Sequence, residues 1–129
     1  MFRRALNIYE HTVGPNHTAV ARLLNSLANT LLAQHRLNEA EPIAKRAVAI
    51  LEAAPDSEAS HYAASLDTLA EVVCAEGRSE DATPLYERAL LILEKAQPNG
   101  VDSVTVQGHY TACSRKHEEP KSIFTINHQ

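Results

Sequence analysis

Tryptophan is absent from this 129-residue chain, and only 5% of its residues are aromatic. Aliphatic side chains and alanine must therefore fill any core, and 44% of the residues are hydrophobic. Long apolar stretches are missing too. The longest, Ala47–Leu51 and Ala89–Leu93, have five residues each and are too short to span a bilayer. Asn7 and Glu10 interrupt the apolar residues near the N-terminus, so we expect no signal peptide. These absences predict a cytoplasmic protein without a membrane-spanning segment.

Cysteine, glycine and excess positive charge are scarce as well. Cys74 and Cys113 are too few and too far apart in sequence to build a disulfide framework, so we expect reduced thiols. The four glycines are isolated from one another and form no phosphate-binding loop. A net charge of −4 argues against a nucleic-acid backbone and against an anionic membrane as the main ligand.

An internal repeat dominates the sequence. Shifting the chain by 42 residues (66 − 24) places Leu66–Glu94 under Leu24–Glu52 without a gap. Twelve aligned pairs are identical, whereas unrelated sequences of this composition would agree at roughly two positions. The identical pairs are Leu24/Leu66, Leu27/Leu69, Ala28/Ala70, Ala33/Ala75, Arg36/Arg78, Ala40/Ala82, Pro42/Pro84, Arg46/Arg88, Ala47/Ala89, Ile50/Ile92, Leu51/Leu93 and Glu52/Glu94. A repeat this clear predicts an array of similar structural units.

Each copy has the pattern of a helical hairpin, because apolar residues recur at spacings of three and four on either side of a short break. Gly77 is expected to end a helix in copy two, since glycine takes a left-handed backbone at little cost. His35 holds the same place in copy one. Asn38 and Ser79 are the expected N-caps of the second helices. Repeated alanines such as Ala28 predict closely packed helices, because larger side chains would push the helix axes apart.

The pattern resembles the tetratricopeptide repeat. The residues that carry this resemblance are Leu24, Leu27, Ala28, Leu31, Ala40, Ala47 and Ile50. The 42-residue period is longer than the 34 residues usual for that family. Together with the linker Val13–His17 and the segments Leu24–Ala28 and Glu39–Pro42, this period resembles the kinesin light chain subgroup. The resemblance covers about Met1–Gln97, and it implies an all-α, right-handed superhelix of about six helices, a TPR-like solenoid.

We expect one helical repeat domain over residues 1–118, followed by a flexible tail over 119–129. The domain comprises a half repeat at 1–14, full repeats at 17–54 and 58–97, and a degenerate capping helix at 102–118, whose apolar face is Val106, Tyr110 and Cys113. The half repeat aligns with the second helix of a full copy, so its apolar face lacks the usual partner. That face carries Phe2, Leu6, Tyr9 and Val13, which are the predicted interface of a homodimer.

Polar residues on the first helices are the candidates for ligand binding. In the resembling family such positions line a concave groove, and the repeat maps them onto Arg22, Asn25, Asn29, Ala64, Asp67, Glu71 and His109. Asparagine amides can both donate to and accept from an extended peptide. The groove would be basic and polar at one end and acidic at the other, which suits a peptide with a basic residue. Asp67 and Glu71 would repel a terminal carboxylate, so the carboxylate clamp of some family members is not expected.

Catalytic and metal-binding patterns are weak. Cys113 and His117 lie four residues apart on one helix, but two ligands alone do not make a metal site. Cys74 lies near Glu71, whose carboxylate would suppress the thiolate that a nucleophile needs. We therefore expect no enzyme activity, no metal and no cofactor.

Three interpretations of the function stay open. The first is a non-enzymatic scaffold that binds a peptide or protein segment in the groove. The second is a structural self-assembly unit that pairs through its terminal helices and has no groove ligand. In the third, the polar helix faces are solvated and bind nothing.

Overall fold

Six helices make up the part of the chain that the structure, a computed structural model, describes: residues 2–12, 14, 17–53, 58–96 and 103–115. They are α1 (Phe2–Thr12), α2 (Thr18–Ala33), α3 (Leu37–Glu52), α4 (Ala59–Ala75), α5 (Ser79–Ala96) and α6 (residues 103–115). These ranges contain no strand. The prediction of an all-α helical repeat fold of about six helices is confirmed.

The two hairpin turns share one backbone geometry. His35 and Gly77 both have positive φ, 57° and 86°, as expected for residues that end α2 and α4. In each turn the backbone N–H of the following residue donates to a carbonyl in the last turn of the preceding helix. The distance is 2.9 Å from Arg36 N to Leu31 O and 3.1 Å from Arg78 N to Val73 O. This pairing satisfies carbonyls that the helix end would otherwise leave without donors.

The predicted N-caps are wrong. The helix α3 begins at Leu37 with Arg36 in the cap position, and Asn38 is already helical. Ser79 is likewise the first residue of α5 and not the residue before it. The physical reason is the length of the turn. Only one residue lies between the left-handed residue and the first residue of the next helix, so that residue, an arginine in both copies, takes the cap position. Each arginine then bonds an acidic side chain of the first turn, Arg36 with Glu39 and Arg78 with Asp81 at 3.2 Å.

Most of the repeated alanines lie in the core. All of them except the pair at 33 and 75 have no exposed surface: Ala28, Ala40, Ala47, Ala70, Ala82 and Ala89. Leu24, Leu66 and Leu93 are buried around them at 1% exposure or less. Replacing water by such apolar contacts stabilises a fold by about 25 cal/mol for each Å² buried. The repeat therefore encodes the packing of the hairpins.

Helix α4 lies at the centre of the array. It contacts α2, α3 and α5, and its buried residues include Ser65, Asp67 and Thr68, which are polar. Helix α6 closes the core beyond it with Val106 and Cys113, both buried, which agrees with the predicted apolar face. Tyr110 of α6 stacks on Tyr86 of α5 with ring centroids 5.4 Å apart. Polar side chains are thus brought to the junction between α4 and its neighbours.

The two cysteines form a disulfide, so the expectation of reduced thiols is wrong for this structure. Cys74 of α4 and Cys113 of α6 are joined, with their Cα atoms 6.1 Å apart. The sequence separation of 39 residues suggested distance, but one repeat brings successive first helices side by side. The disulfide ties the last described helix to the centre of the array.

Helix α1 contacts α2 of the first hairpin. The Arg46 Nη1 atom lies 2.9 Å from Glu10 Oε1, and the equivalent pair one repeat later, Arg88 with Glu52, is 3.8 Å apart. The predicted dimer interface lies outside the described part of the chain. The structure does not describe the side chains of Phe2, Leu6 and Tyr9, or any part of Val13. The tail 119–129 lies outside the described residues as well.

Candidate functional site

The six polar residues of the predicted groove lie in three places. Three of them meet at the junction of α4 and α6: Asp67, Glu71 and His109. Arg22 and Asn25 line a separate cavity between α2 and α4. Asn29 is exposed, and its amide oxygen accepts a hydrogen bond from Thr68 at 3.3 Å, which links α2 to α4.

The junction of α4 and α6 carries an acidic cluster with one histidine. His109 Nδ1 lies 2.8 Å from Asp67 Oδ2 and 3.5 Å from Glu71 Oε1. Asp67 and Glu71 are four residues apart on α4 and so lie one turn apart on one face. His109 occupies the position of Asp67 one repeat later, 42 residues on. The repeat geometry therefore stacks these two positions on neighbouring helices.

Burial makes this cluster electrostatically unusual. Burial raises the pKa of Asp67, and the nearby His109 opposes this rise only in part. Burial also raises the pKa of Glu71, and the charge of Asp67 raises it further. The other Asp67 oxygen, Oδ1, is buried and has no hydrogen-bond partner among the described residues. Both carboxylates are thus short of positive partners, and an unpaired acceptor in such a place is costly.

A cavity of about 220 Å³ opens beside the cluster. Glu71 and His109 lie on its wall together with both cysteines of the disulfide and the ring of Tyr86. Burial and the two nearby carboxylates raise the pKa of the Tyr86 hydroxyl, so it stays protonated near neutral pH. The cavity gives small solutes a route to the two cluster side chains on its wall.

The second cavity, of about 170 Å³, lies between α2, α3 and α4. Its lining comprises Arg22, Asn25, Ser26, Leu51, His61, Ala64 and Ser65. At its edge Glu58 accepts from Arg22 at 3.2 Å and contacts His61 at 2.9 Å. Two buried oxygens of its lining have no partner among the described residues, Asn25 Oδ1 and Ser65 Oγ. This cavity can therefore offer unused hydrogen bonds to a polar group.

The sequence pattern missed several of the residues that line these cavities. Ser65 and Tyr86 were not singled out, because a small polar residue and a lone aromatic carry no signal by themselves. The arithmetic of the repeat did contain a signal for the cluster, since His109 follows Asp67 by one period. Of the other suggested metal pair, Cys113 is held in the disulfide, and His117 lies outside the described residues.

The six helices and their repeated hairpins define a helical repeat protein. The sequence model of the family described as Tetratricopeptide repeat matches residues 1–53, which include α1, α2 and α3. The match supports a tetratricopeptide repeat protein, and repeats of this family are in general non-enzymatic and mediate protein–protein interactions. A comparison with curated proteins gave no match for this chain. Among the residues described, we find no helix with the length and apolar character that a membrane crossing needs.

Proposed function

We propose that the chain is a non-enzymatic interaction module that binds a segment of a partner protein along the first helices α2, α4 and α6. The observation that carries this proposal is the cavity between α2 and α4, where Asn25 Oδ1 and Ser65 Oγ are buried without partners. A polar side chain of the partner would enter the cavity, donate to Asn25 and accept from Ser65. Both oxygens would then be satisfied only in the complex.

Charge favours a definite orientation of the segment. Arg22, with its side chain half exposed, stands at the α2 end, and Glu71 lines the cavity at the α4–α6 end. The segment that fits has an amide or hydroxyl side chain for the first cavity and a basic side chain towards Glu71. Asp67 is 8% exposed and contacts His109, so its contribution is to the field at that end and not to direct contact.

Selection from a random-sequence peptide library, followed by anisotropy titrations of the selected peptides, tests this proposal. Replacing Asn25 by leucine or Ser65 by alanine should weaken the selected peptides by roughly 3- to 10-fold, as expected for one lost hydrogen bond. The control Asn38→Leu changes an exposed asparagine of α3 and should leave the affinity unchanged. Selected peptides that bind both cavity variants as tightly as the wild type would overturn the proposed site.

Self-association is the alternative function. It was predicted through Phe2, Leu6, Tyr9 and Val13, whose spacing puts them on one face of a helix. A two-fold pairing of α1 would cover that apolar face. Sedimentation equilibrium of the wild type and of Leu6→Glu decides between the two functions. A dimer that Leu6→Glu dissociates would favour self-association, whereas a monomer at high micromolar concentration would remove it.

Two finer assignments belong to the same proposal. The 42-residue period favours the kinesin light chain subgroup within the tetratricopeptide repeats. The cytoplasmic location rests on the sequence pattern alone, and the Cys74–Cys113 bond counts against it, because disulfides are rare in reducing compartments.

A further inference from the structure

We propose that Asp67, Glu71 and His109 form a binding site for a divalent transition-metal ion, with Zn²⁺ as the ion that fits the ligand set best. The metal site shares Glu71 with the proposed peptide site, but its ligand is an ion and its test uses no peptide, so the two proposals can fail separately. It also departs from the expectation that the chain holds no metal, which considered only histidine and cysteine pairs on one helix.

The spacing of the ligand atoms fits a metal ion. One ligand atom from each of the three residues lies within 4.8 Å of the other two. With metal–ligand bonds of about 2.0–2.2 Å, two ligands of a tetrahedral ion are about 3.4 Å apart. The observed separations from His109 Nδ1, 2.8 Å to Asp67 and 3.5 Å to Glu71, bracket that value. A metal ion would take the place of the direct contact between the imidazole and the carboxylate.

A second observation independently indicates a cation. Asp67 is more than nine-tenths buried, and its Oδ1 atom has no partner among the described residues. Around Asp67 and Glu71 the described contacts include no lysine or arginine, and His109 is their one basic neighbour. Two carboxylates in a desolvated place are stabilised strongly by a divalent ion. The cluster thus has the charge that a metal ion would compensate.

The disulfide holds the ligands together. Cys74 follows Glu71 by three residues on α4, and Cys113 follows His109 by four residues on α6. The covalent bond therefore fixes the two helices one turn away from the cluster. The adjoining cavity of about 220 Å³ reaches Glu71 and His109 from solvent and has room for water molecules that complete the coordination. Such a preorganised first set of ligands with an open side is typical of three-residue zinc sites.

The ligand types select the ion. Two carboxylates and one imidazole suit Zn²⁺, and the order of stabilities for divalent metals places Mn²⁺ and Fe²⁺ below it. Mg²⁺ and Ca²⁺ prefer sites made of oxygen ligands alone, so the imidazole disfavours them. The expected order of affinity is therefore Zn²⁺ above Mn²⁺, with Mg²⁺ weakest.

Isothermal titration of the full chain with Zn²⁺ alone tests the proposal, with no reductant present and with a thiol assay showing that the disulfide is closed. We expect one Zn²⁺ per chain and a rise in the unfolding temperature on addition of the ion. Asp67→Asn, Glu71→Gln and His109→Gln should each weaken Zn²⁺ binding by at least about tenfold, since even residues behind the ligands cost that much. Circular dichroism checks that each variant is folded.

A matched control separates this site from adventitious binding to the other six of the seven histidines of the chain. His61→Gln removes a histidine that pairs with Glu58 on the other cavity, and its Zn²⁺ affinity should equal that of the wild type. The proposal is overturned if the wild type does not bind Zn²⁺. It is also overturned if folded Glu71→Gln and His109→Gln bind the ion as tightly as the wild type, or if His61→Gln causes the loss instead.

Discussion

The two hairpins, α2–α3 and α4–α5, have the same core but different junctions with the first helix that follows. Both bury alanine at three equivalent places and both turn through a left-handed residue. Between α2 and α4 the described polar links are the hydrogen bond from Thr68 to Asn29 and, at the start of α4, the ion pair of Arg22 with Glu58. Between α4 and α6 a disulfide and a histidine–carboxylate cluster take that place.

This difference separates the part of the sequence that specifies the fold from the part that is free to vary. The identical pairs are mostly core residues, which the spacing of the helices constrains. Asn25 and Leu32 are replaced by Asp67 and Cys74 one repeat later, while the equivalent core positions Leu24/Leu66 and Ala28/Ala70 stay buried in both copies. Chemistry can therefore be introduced at one junction while the backbone geometry is repeated. The predictions below compare the two hairpins, from the largest expected effect to the smallest.

Reduction of the disulfide should have the largest effect. Opening the Cys74–Cys113 bond frees a loop of 39 residues, and cross-links of this kind contribute about 2–4 kcal/mol to the free energy of unfolding. The urea midpoint of the wild type should therefore fall when a phosphine reductant is added. The variant Cys74→Ala with Cys113→Ala is the control, and its midpoint should not respond. Equal midpoints for oxidised and reduced wild type would contradict the assigned bond.

Enlarging a repeated alanine should be the next largest effect, and it should be similar in both hairpins. Ala28→Leu and Ala70→Leu overpack positions with no exposed surface, which costs about 1–3 kcal/mol each. The control is Ala33→Leu, at an equally repeated but exposed position, where a change within about 0.5 kcal/mol is expected. Urea denaturation measures all three. An unchanged midpoint for both buried variants would mean that the hairpin packing is wrongly assigned.

Exchanging the turn residues should produce effects of opposite sign. His35→Gly should stabilise copy one and Gly77→His should destabilise copy two, each by about 1 kcal/mol. The left-handed backbone costs a residue with a side chain about 1–2 kcal/mol, and the greater chain entropy of glycine offsets about 0.4–1 kcal/mol. A Cβ at Gly77 would meet no atom within 4 Å, so the effect there is conformational. Thermal unfolding of both variants measures it, and shifts of the same sign would refute this account.

The ion pair between the copies should have the smallest effect, and it should depend on pH. Arg78 of the second turn bonds Glu41 of α3, whose pKa is lowered by Arg78 and then by Lys45. A lowered pKa stabilises the fold above the ordinary carboxyl value of about 4.3, and this contribution disappears as pH falls through the folded pKa. Glu41→Gln should therefore lower the urea midpoint at pH 7 but not near pH 3.

Exposed ion pairs contribute less than about 1 kcal/mol, so the shift at pH 7 should be small. Glu76 makes the shift in the urea midpoint smaller still. Burial and the neighbouring Glu41 raise the pKa of Glu76, so replacing Glu41 also removes an unfavourable contact between two carboxylates. Glu39→Gln is the comparison variant in copy one. Glu39 bonds Arg36 at the corresponding turn, where Arg36 also bonds Gln34. A Glu41→Gln shift that persists at pH 3 would show that the ion pair is not its cause.

Periodicity predicted the fold well because it reports directly on burial. Apart from the exposed pair Ala33/Ala75, the alanine pairs and the leucines at 24 and 66 repeat because each must fit the same space, and the structure buries them. The N-cap predictions were wrong because the apolar spacing leaves the first residue of a helix undetermined by one or two positions. The geometry of the turn decides where the helix begins. Local capping rules did not anticipate that an arginine would stand there.

The cluster and the disulfide could be predicted only in part. Shifting Cys113 back by one period gives Glu71, which lies three residues from Cys74, so the repeat did place the two cysteines on facing surfaces. It could not fix the distance between them, because side-chain geometry depends on how closely α6 approaches α4. The burial of Asp67 was missed for the same reason, since a carboxylate on a first helix reads as a solvated residue until the next helix covers it.

The disulfide also changes how the chain would respond to mechanical force. When a folded chain is pulled from its two ends, the length released on unfolding is about 3.3–3.6 Å for each residue that becomes extended. A closed bond between Cys74 and Cys113 shields the 39 intervals between them, so about 130–140 Å of that length is withheld. Helix α5 lies inside the shielded ring. In an oxidising medium α5 would unfold without lengthening the chain, whereas the first hairpin and the part of α4 before Cys74 would extend fully.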